Sequence, residues 1–133
     1  MKGDRRFTLR SKWGGMLPVL VRIFISDESW ERGAKRHYFD PESAGCCGSV
    51  NGIDLFGKQY CKEVHVNLKA DHVGAGYIAH EMVHAGMVLR KAVKKRDEET
   101  LAYVVGDLVA MFWDKMYKLE ALHIRNNTTQ QSQ

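Results

Sequence analysis

The segment that most constrains this chain is GYIAHEMVHAGMVLR, from Gly76 to Arg90, in which His80, Glu81 and His84 form an H-E-x-x-H sequence. The segment contains no proline and predicts one continuous helix. His80 and His84 lie one turn apart on the same helix face, so both imidazoles can bind one metal ion. Glu81 follows about 100° around the helix axis, where its carboxylate can reach a metal-bound water without binding the metal. This spacing is typical of a catalytic zinc site.

Length and composition predict a single globular domain. The chain has 133 residues, enough for one hydrophobic core and little more. With 44% apolar and 27% charged residues, it has the composition of neither a disordered nor a membrane-spanning chain. The net charge of +4 permits nucleic acid as a partner but does not require it, because the aromatic residues are not interleaved with the basic ones.

The cysteines and the N-terminal region favour a cytoplasmic protein without a membrane segment. The chain has three cysteines and no C-x-x-C, which indicates neither a disulfide framework nor a cysteine zinc site, and a reducing compartment is the simplest expectation. An apolar run from Met16 to Ile25 follows basic residues, as in a secretory signal. Pro18 and Arg22 interrupt this run and no cleavage site follows it, so we interpret it as a strand.

Two segments have strong strand patterns. Leu17 to Ile25 is rich in β-branched residues and predicts a central strand, whereas Glu63 to Leu68 alternates apolar and polar residues and predicts a half-buried one. Weaker signals predict a short edge strand or loose arm within residues 1–15 and a brief strand at residues 53–56. Residues 26–52 are rich in polar residues and glycine, so we expect mostly loop, with at most a short helix at residues 27–32.

Two helices should follow the strands. Asp71 is a candidate N-cap for a helix over residues 73–92, and a second helix should begin at Asp97 and run to about His123. The second helix has an apolar stripe at intervals of three and four residues, formed by Ala102, Val105, Val109, Phe112, Met116 and Leu119. Residues 126–133 are polar and without periodicity, which predicts a disordered tail after a single domain at residues 1–125.

A catalytic zinc usually has three protein ligands, so a two-histidine site needs one more, most often a carboxylate from a later helix. Acidic residues at 97–99 open the second helix and are the candidates. The apolar stripe turns Glu98 inward, because Glu98 lies four residues before Ala102 and seven before Val105, and it leaves Glu99 at the flank of the stripe.

The segments HEMVH and EETLAYVVG together resemble the gluzincin metallopeptidases, the thermolysin-like group, over residues 60–115. In that group the third ligand is a glutamate that begins an E-x-x-A or E-x-x-x-D segment, often with a small residue two turns later that allows close helix packing. Glu99 fits this frame, with Ala102 three and Gly106 seven residues later. The resemblance therefore implies Glu99 as the third ligand, with Glu98 as the alternative.

The resemblance implies an α+β fold: a minimal zincin-like domain with a small mixed sheet packed on the HExxH helix and a second long helix. It places Glu63 to Leu68 at the sheet edge that holds an extended peptide. Among small members, the ImmA/IrrE-type peptidases of mobile elements are nearest in size, although their full motif is absent here. Only fourteen residues separate His84 from Glu99, and Tyr103 or Asp107 would have to replace the aspartate that usually supports such a site.

The implied function is zinc-dependent hydrolysis of a protein or peptide substrate. Zinc lowers the pKa of its water towards ~7, Glu81 takes the proton, and the hydroxide attacks an amide carbonyl. Zinc and a nearby donor, Tyr103 or His65, then stabilise the oxyanion, unless these two residues have only structural roles. Two imidazoles and one carboxylate favour zinc over iron or manganese in a hydrolytic site.

Three other hypotheses fit the same residues. The first is a catalytically silent, zincin-shaped binding or inhibitory protein with a structural metal. The second is nucleic-acid binding through the basic residues between Arg90 and Arg96, which otherwise form a solvated helix end. The third is that His80 and His84 are hydrogen-bonded histidines of a helical hairpin and bind no metal.

Overall fold

The computed structural model describes residues 3–43 and 45–131, with side chains described as far as Glu120. The strands are β1 (Arg5–Leu9), β2 (Val19–Phe24), β3 (Gly45–Ile53) and β4 (Gln59–Lys69). The helices are α1 (Asp27–His37), α2 (Ala75–Ala92) and α3 (Glu98–Gln131), and short 3-10 turns lie at Lys12–Gly14 and Ala70–His72. The predicted α+β class, with a small mixed sheet and two long helices, is confirmed. No described helix is both long enough and apolar enough to cross a membrane.

The four strands form one mixed sheet in the order β1-β2-β4-β3. The central strands β2 and β4 are parallel, and the outer pairs β1–β2 and β4–β3 are antiparallel. The expectation that Glu63 to Leu68 forms an edge strand is wrong, because β4 is hydrogen-bonded on both sides. The edge strand next to α2 is β3, which lies mainly in the region 26–52 that we expected to be mostly loop.

Alternation along the two central strands places the core on one face of the sheet. Val19, Val21 and Ile23 of β2 and Val64, Val66 and Leu68 of β4 are fully buried there. Helix α2 packs on them through Ile78, Met82, Ala85 and Leu89. Helix α3 contributes Val104, Leu108, Phe112 and Met116, so its buried stripe is rotated from the predicted one, and Ala102 is exposed.

Helix α1 packs near the opposite face of the sheet and is longer than predicted. The side chains of Ser26 and Ser29 cap its N-terminus reciprocally, and it ends at Tyr38, which has φ 59°. The Phe24 ring lies where a Cβ at Gly33 would be, so only glycine allows this close approach in the middle of the helix. Phe24 also packs edge-on against Trp30, with ring centroids 5.6 Å apart.

The starts of α2 and α3 differ in how well they were predicted. Helix α2 begins after Gly74 and not after Asp71, which lies in the preceding 3-10 turn. Asp97, which we expected inside the first turn, lies just before α3 and caps it: its carboxylate accepts hydrogen bonds from the Thr100 backbone amide (2.9 Å) and hydroxyl (2.8 Å). Helix α3 continues to Gln131, past the end expected near His123 and through most of the tail predicted at residues 126–133; residues 132 and 133 lie outside the described residues, as do the side chains from 121 onward. The domain boundary at residue 125 stays a prediction.

Candidate metal centre

The two motif histidines meet on the exposed face of α2. The apolar side chains within two positions of them, Ile78, Met82 and Ala85, are buried in the core, and this orientation of α2 turns both imidazoles towards solvent. His80 Nε2 and His84 Nε2 are 3.2 Å apart. The predicted convergence of the two imidazoles is therefore present.

The separation of the two ring nitrogens fits a zinc ion. Two Zn–N bonds of about 2.05 Å at a tetrahedral angle place their nitrogens roughly 3.3 Å apart. The 3.2 Å between His80 Nε2 and His84 Nε2 is close to this value. Without a metal, the same distance is an imidazole–imidazole hydrogen bond, in which one Nε2 donates and the other accepts. A metal ion could therefore replace the proton that the two imidazoles share, without a change in the geometry of α2.

Glu81 lies beside the histidines on the side of α2 that faces β3. Its side chain is buried, with the residue 5% exposed, and a Cβ at Gly45 of β3 would lie 3.3 Å from its Oε1. Burial raises the pKa of Glu81, and the nearby His80 and His84 offset part of that rise. A carboxylate with a raised pKa beside two imidazole nitrogens suits a group that takes and returns a proton.

An open cleft of about 400 Å³ brings these groups to the surface; its lining is Gly45, Gly76, Tyr77, His80 and Glu81. Sequence reasoning missed Tyr77, although its position four residues before Glu81 places it on the same helix face. It could not have found Gly45, because β3 was not predicted. The cleft opens between α2 and the free edge of the sheet.

Among the residues that the structure describes, no further side chain joins the two histidines in a metal-holding group. Glu98 and Glu99 are both exposed in the first turn of α3. Within the described part of the chain, no three His, Cys, Asp or Glu side chains are placed so that they hold a metal ion together. With the buried stripe centred on Val104 and Leu108, the inward position one turn earlier is Leu101 or Thr100 and not Glu98. Glu99 as third ligand, with Glu98 as its alternative, stays a prediction.

Close packing of α2 on α3 occurs at Gly86 and not at Gly106. A Cβ at Gly86 would lie 2.7 Å from Val105 Cγ2 and 3.3 Å from Leu101 Cδ1. A Cβ at Gly106 would meet nothing within 4 Å, so the expectation that Gly106 allows close helix packing is wrong. The contact at Gly86 joins the part of α2 that follows the motif to the first turns of α3.

The two predicted oxyanion donors lie away from the cleft. Tyr103 stacks on Trp13, with ring centroids 4.6 Å apart, beside the 3-10 turn that packs on the C-terminal half of α2 through Gly14 and Leu89. His65 lies on the opposite face of the sheet, where it contacts Arg22 and Glu63. The catalytic role of Tyr103 stays a prediction. Asp107 accepts a hydrogen bond of 2.8 Å from Ser11 and does not support the histidines.

Comparison with known proteins adds no family to this geometry. Neither a family model, nor a curated protein, nor a solved structure matches the chain. The resemblance to the gluzincins therefore rests on the segments HEMVH and EETLAYVVG alone.

Proposed function

We propose that this protein is a zinc-dependent metallopeptidase that hydrolyses a protein or peptide substrate in the cytoplasm. The observation that carries the proposal is the 3.2 Å separation of His80 Nε2 and His84 Nε2 beside the buried carboxylate of Glu81. Three free cysteines are consistent with a reducing compartment.

Each group of the cleft has a distinct role in this proposal. His80 and His84 hold the zinc, with Glu99 or Glu98 as the third protein ligand. Bound zinc supplies a Lewis acid and lowers the pKa of coordinated water towards ~7. Glu81 accepts the proton released on attack and donates it to the leaving amine, and its burial against β3 supports both transfers. The free edge of β3 begins at Gly45, next to Glu81, and offers backbone groups to an extended substrate.

Metal content tests the ligand set. Elemental analysis of purified wild-type protein should find about one zinc per chain, and His84→Ala should lose it. Glu99→Ala and Glu98→Ala form a matched pair, because both residues are exposed in the same helical turn and neither change should affect folding. Loss of zinc from only one of them identifies the third ligand. Wild-type protein that purifies without zinc and does not take it up would refute the proposal.

Hydrolysis of fluorescently labelled casein tests the reaction. Glu81→Gln should retain zinc and lower the rate at least ~100-fold, the usual contribution of a general base. Chelation should abolish the wild-type activity, and zinc should restore it. If Glu81→Gln cleaves as fast as wild type, Glu81 is not the base.

The second candidate is a zincin-shaped binding protein with a structural metal. The observation that favours it is that Asp107, a candidate to support a catalytic site, instead accepts a hydrogen bond from Ser11. Stoichiometric zinc, a loss of thermal stability on chelation and no hydrolysis by wild-type protein would together support this function over the first.

A further inference from the structure

A row of polar side chains crosses the sheet face opposite α2. Cross-strand pairing joins Arg6 of β1 to Arg22 of β2, Arg22 to Asn67 of β4, and Asn67 to Cys46 of β3. Arg6 and Arg22 are direct neighbours on antiparallel strands, an arrangement in which like charges destabilise the sheet. Strand pairing therefore concentrates positive charge on this face, and the repulsion between Arg6 and Arg22 works against that pairing.

Arg22 is held in one orientation at the centre of this row. Its Nη1 donates to His65 Nδ1 at 3.0 Å and to Asn67 Oδ1 at 3.3 Å, and Asn67 is only 3% exposed. Because His65 accepts at Nδ1, its Nε2 carries the proton and donates to Glu63 Oε1 at 2.9 Å. Glu63 is thus linked to Arg22 by hydrogen bonds only through the His65 imidazole. The remaining guanidinium nitrogens of Arg22 make no hydrogen bond to a described residue.

Helix α1 carries a third arginine towards this face: Arg36 lies one turn after Gly33, which packs on Phe24, two residues along β2 from Arg22. Partial burial is the main cause that lowers the pKa of Arg22; Glu63 opposes that shift, and the charges of Arg6 and Arg36 add to it. Arg36 lies in the last turn of α1 and is exposed, as is Arg6. Among the described residues, none of these three arginines forms an ion pair with a carboxylate. A half-buried guanidinium without a carboxylate partner is uncommon, because removing such a charge from water costs free energy.

We propose that this arginine face, formed by Arg6, Arg22 and Arg36, binds a phosphate group. The planar fork of Arg22 is fixed in advance by His65 and Asn67, and further charge comes from Arg6 on β1 and Arg36 in the last turn of α1. Arginine donates to two phosphate oxygens at once, and the anion would relieve the repulsion among the three guanidinium groups. Space is available next to His65, since its cross-strand partner Gly48 has nothing within 4 Å of an added Cβ. The phosphate could belong to a small phosphomonoester or to a nucleic-acid backbone.

This site is independent of the proposed peptidase function. The arginine face and the cleft of Glu81 lie on opposite sides of the sheet, so phosphate binding needs neither zinc nor hydrolysis. All binding measurements can therefore use metal-free protein, and their outcome does not depend on the first proposal.

Calorimetric titration with inorganic phosphate, at constant ionic strength maintained with chloride, tests the site. Wild-type protein should bind saturably, and Arg36→Gln should weaken binding about tenfold, the typical loss for one charge-assisted hydrogen bond. Arg36 is exposed at a helix end, so this variant should fold even if Arg22→Gln does not. The matched control is Arg96→Gln, an exposed arginine in the turn between α2 and α3, which should bind phosphate as wild type does. No saturable binding by wild type, or equal binding by Arg36→Gln and Arg96→Gln, overturns the proposal.

Two further ligands identify the source of the phosphate. One is a short single-stranded oligonucleotide. If it competes with phosphate, and if the salt dependence of its binding falls by about one counterion in Arg36→Gln, the phosphate belongs to a nucleic-acid backbone. The other is phosphoserine. If phosphoserine binds and the oligonucleotide does not, the ligand is a phosphomonoester. If acetate binds as tightly as phosphate, the face does not select phosphate and the proposal is wrong.

Discussion

Substitution of Gly86 by alanine should destabilise the fold, although alanine is the better helix former. The new Cβ would lie 2.7 Å from Val105 Cγ2, closer than side chains normally approach, and 3.3 Å from Leu101 Cδ1. Either α2 must move away from α3 or Val105 must leave its preferred rotamer. Gly106→Ala is the matched control, because Gly106 also lies inside a helix and has nothing within 4 Å of an added Cβ.

The magnitude follows from two opposing terms. Replacing a glycine by alanine inside a helix stabilises it by about 0.5–1 kcal/mol, and this term acts alone at Gly106. Overpacking costs about 1–3 kcal/mol, so Gly86→Ala should lose roughly 1 kcal/mol in net free energy of unfolding. The two variants should therefore differ by about 2 kcal/mol, in opposite directions from wild type.

Urea unfolding of metal-free protein, followed by circular dichroism, measures both changes. A double-mutant cycle identifies the cause: Val105→Ala removes the methyl groups that clash, so Gly86→Ala should cost less in that background, with a coupling of about 1 kcal/mol. The reasoning fails if Gly86→Ala stabilises the protein as much as Gly106→Ala does. It also fails if the effects of Gly86→Ala and Val105→Ala simply add.

Two further predictions concern ionisation. Burial raises the pKa of Glu81 above its ordinary value of 4.5, so its contribution to stability is fully present below pH 4.5 and is lost as the pH rises through the folded-state pKa. Glu81→Gln should therefore gain thermal stability relative to metal-free wild type between pH 4 and 7.5, and a pH-independent difference would contradict this cause. Burial also raises the pKa of Cys47 to about 12, which leaves about one thiolate in ten thousand at pH 8. Iodoacetamide should alkylate Cys47 slowly in folded protein and rapidly in guanidinium, as peptide mass spectrometry can show; rapid labelling in the folded state would exclude such burial.

The central strands and the two long helices could be predicted because their own residues carry the signal. β2 and the second half of β4 combine β-branched residues or strict alternation with burial on one face, and α2 and α3 place apolar residues at helical intervals. β3 carries no such signal: its sequence GCCGSVNGI is rich in glycine and half of it is exposed. It is a strand because β4 offers backbone partners along its whole length, which is a property of the tertiary structure.

The candidate site likewise has one part that the sequence predicts and one part that depends on tertiary structure. Helix geometry alone sets the His80–His84 pair, so the spacing predicted it correctly. The setting of Glu81 depends on β3, and the sequence contained no indication that Gly45 would lie against this carboxylate. The positions of His65 and Tyr103 depend on which sheet face and which turn they meet, and neither is visible in residue spacing.

The choice between Glu98 and Glu99 depends on the register of α2 against α3. The connection at residues 93–97 is short, which makes these neighbouring helices antiparallel. The nearest neighbour of Gly86 on α3 is Val105. From this contact, His84 lies two residues back along α2 and Glu99 six residues back along α3, in opposite axial directions. At 1.5 Å per residue these steps separate His84 from Glu99 by about 12 Å along the axis, and from Glu98 by about 13.5 Å. The contact at Gly86 that stabilises the helix pair is therefore also what keeps both glutamates from the histidines, and recruiting either one requires the first turn of α3 to move past it.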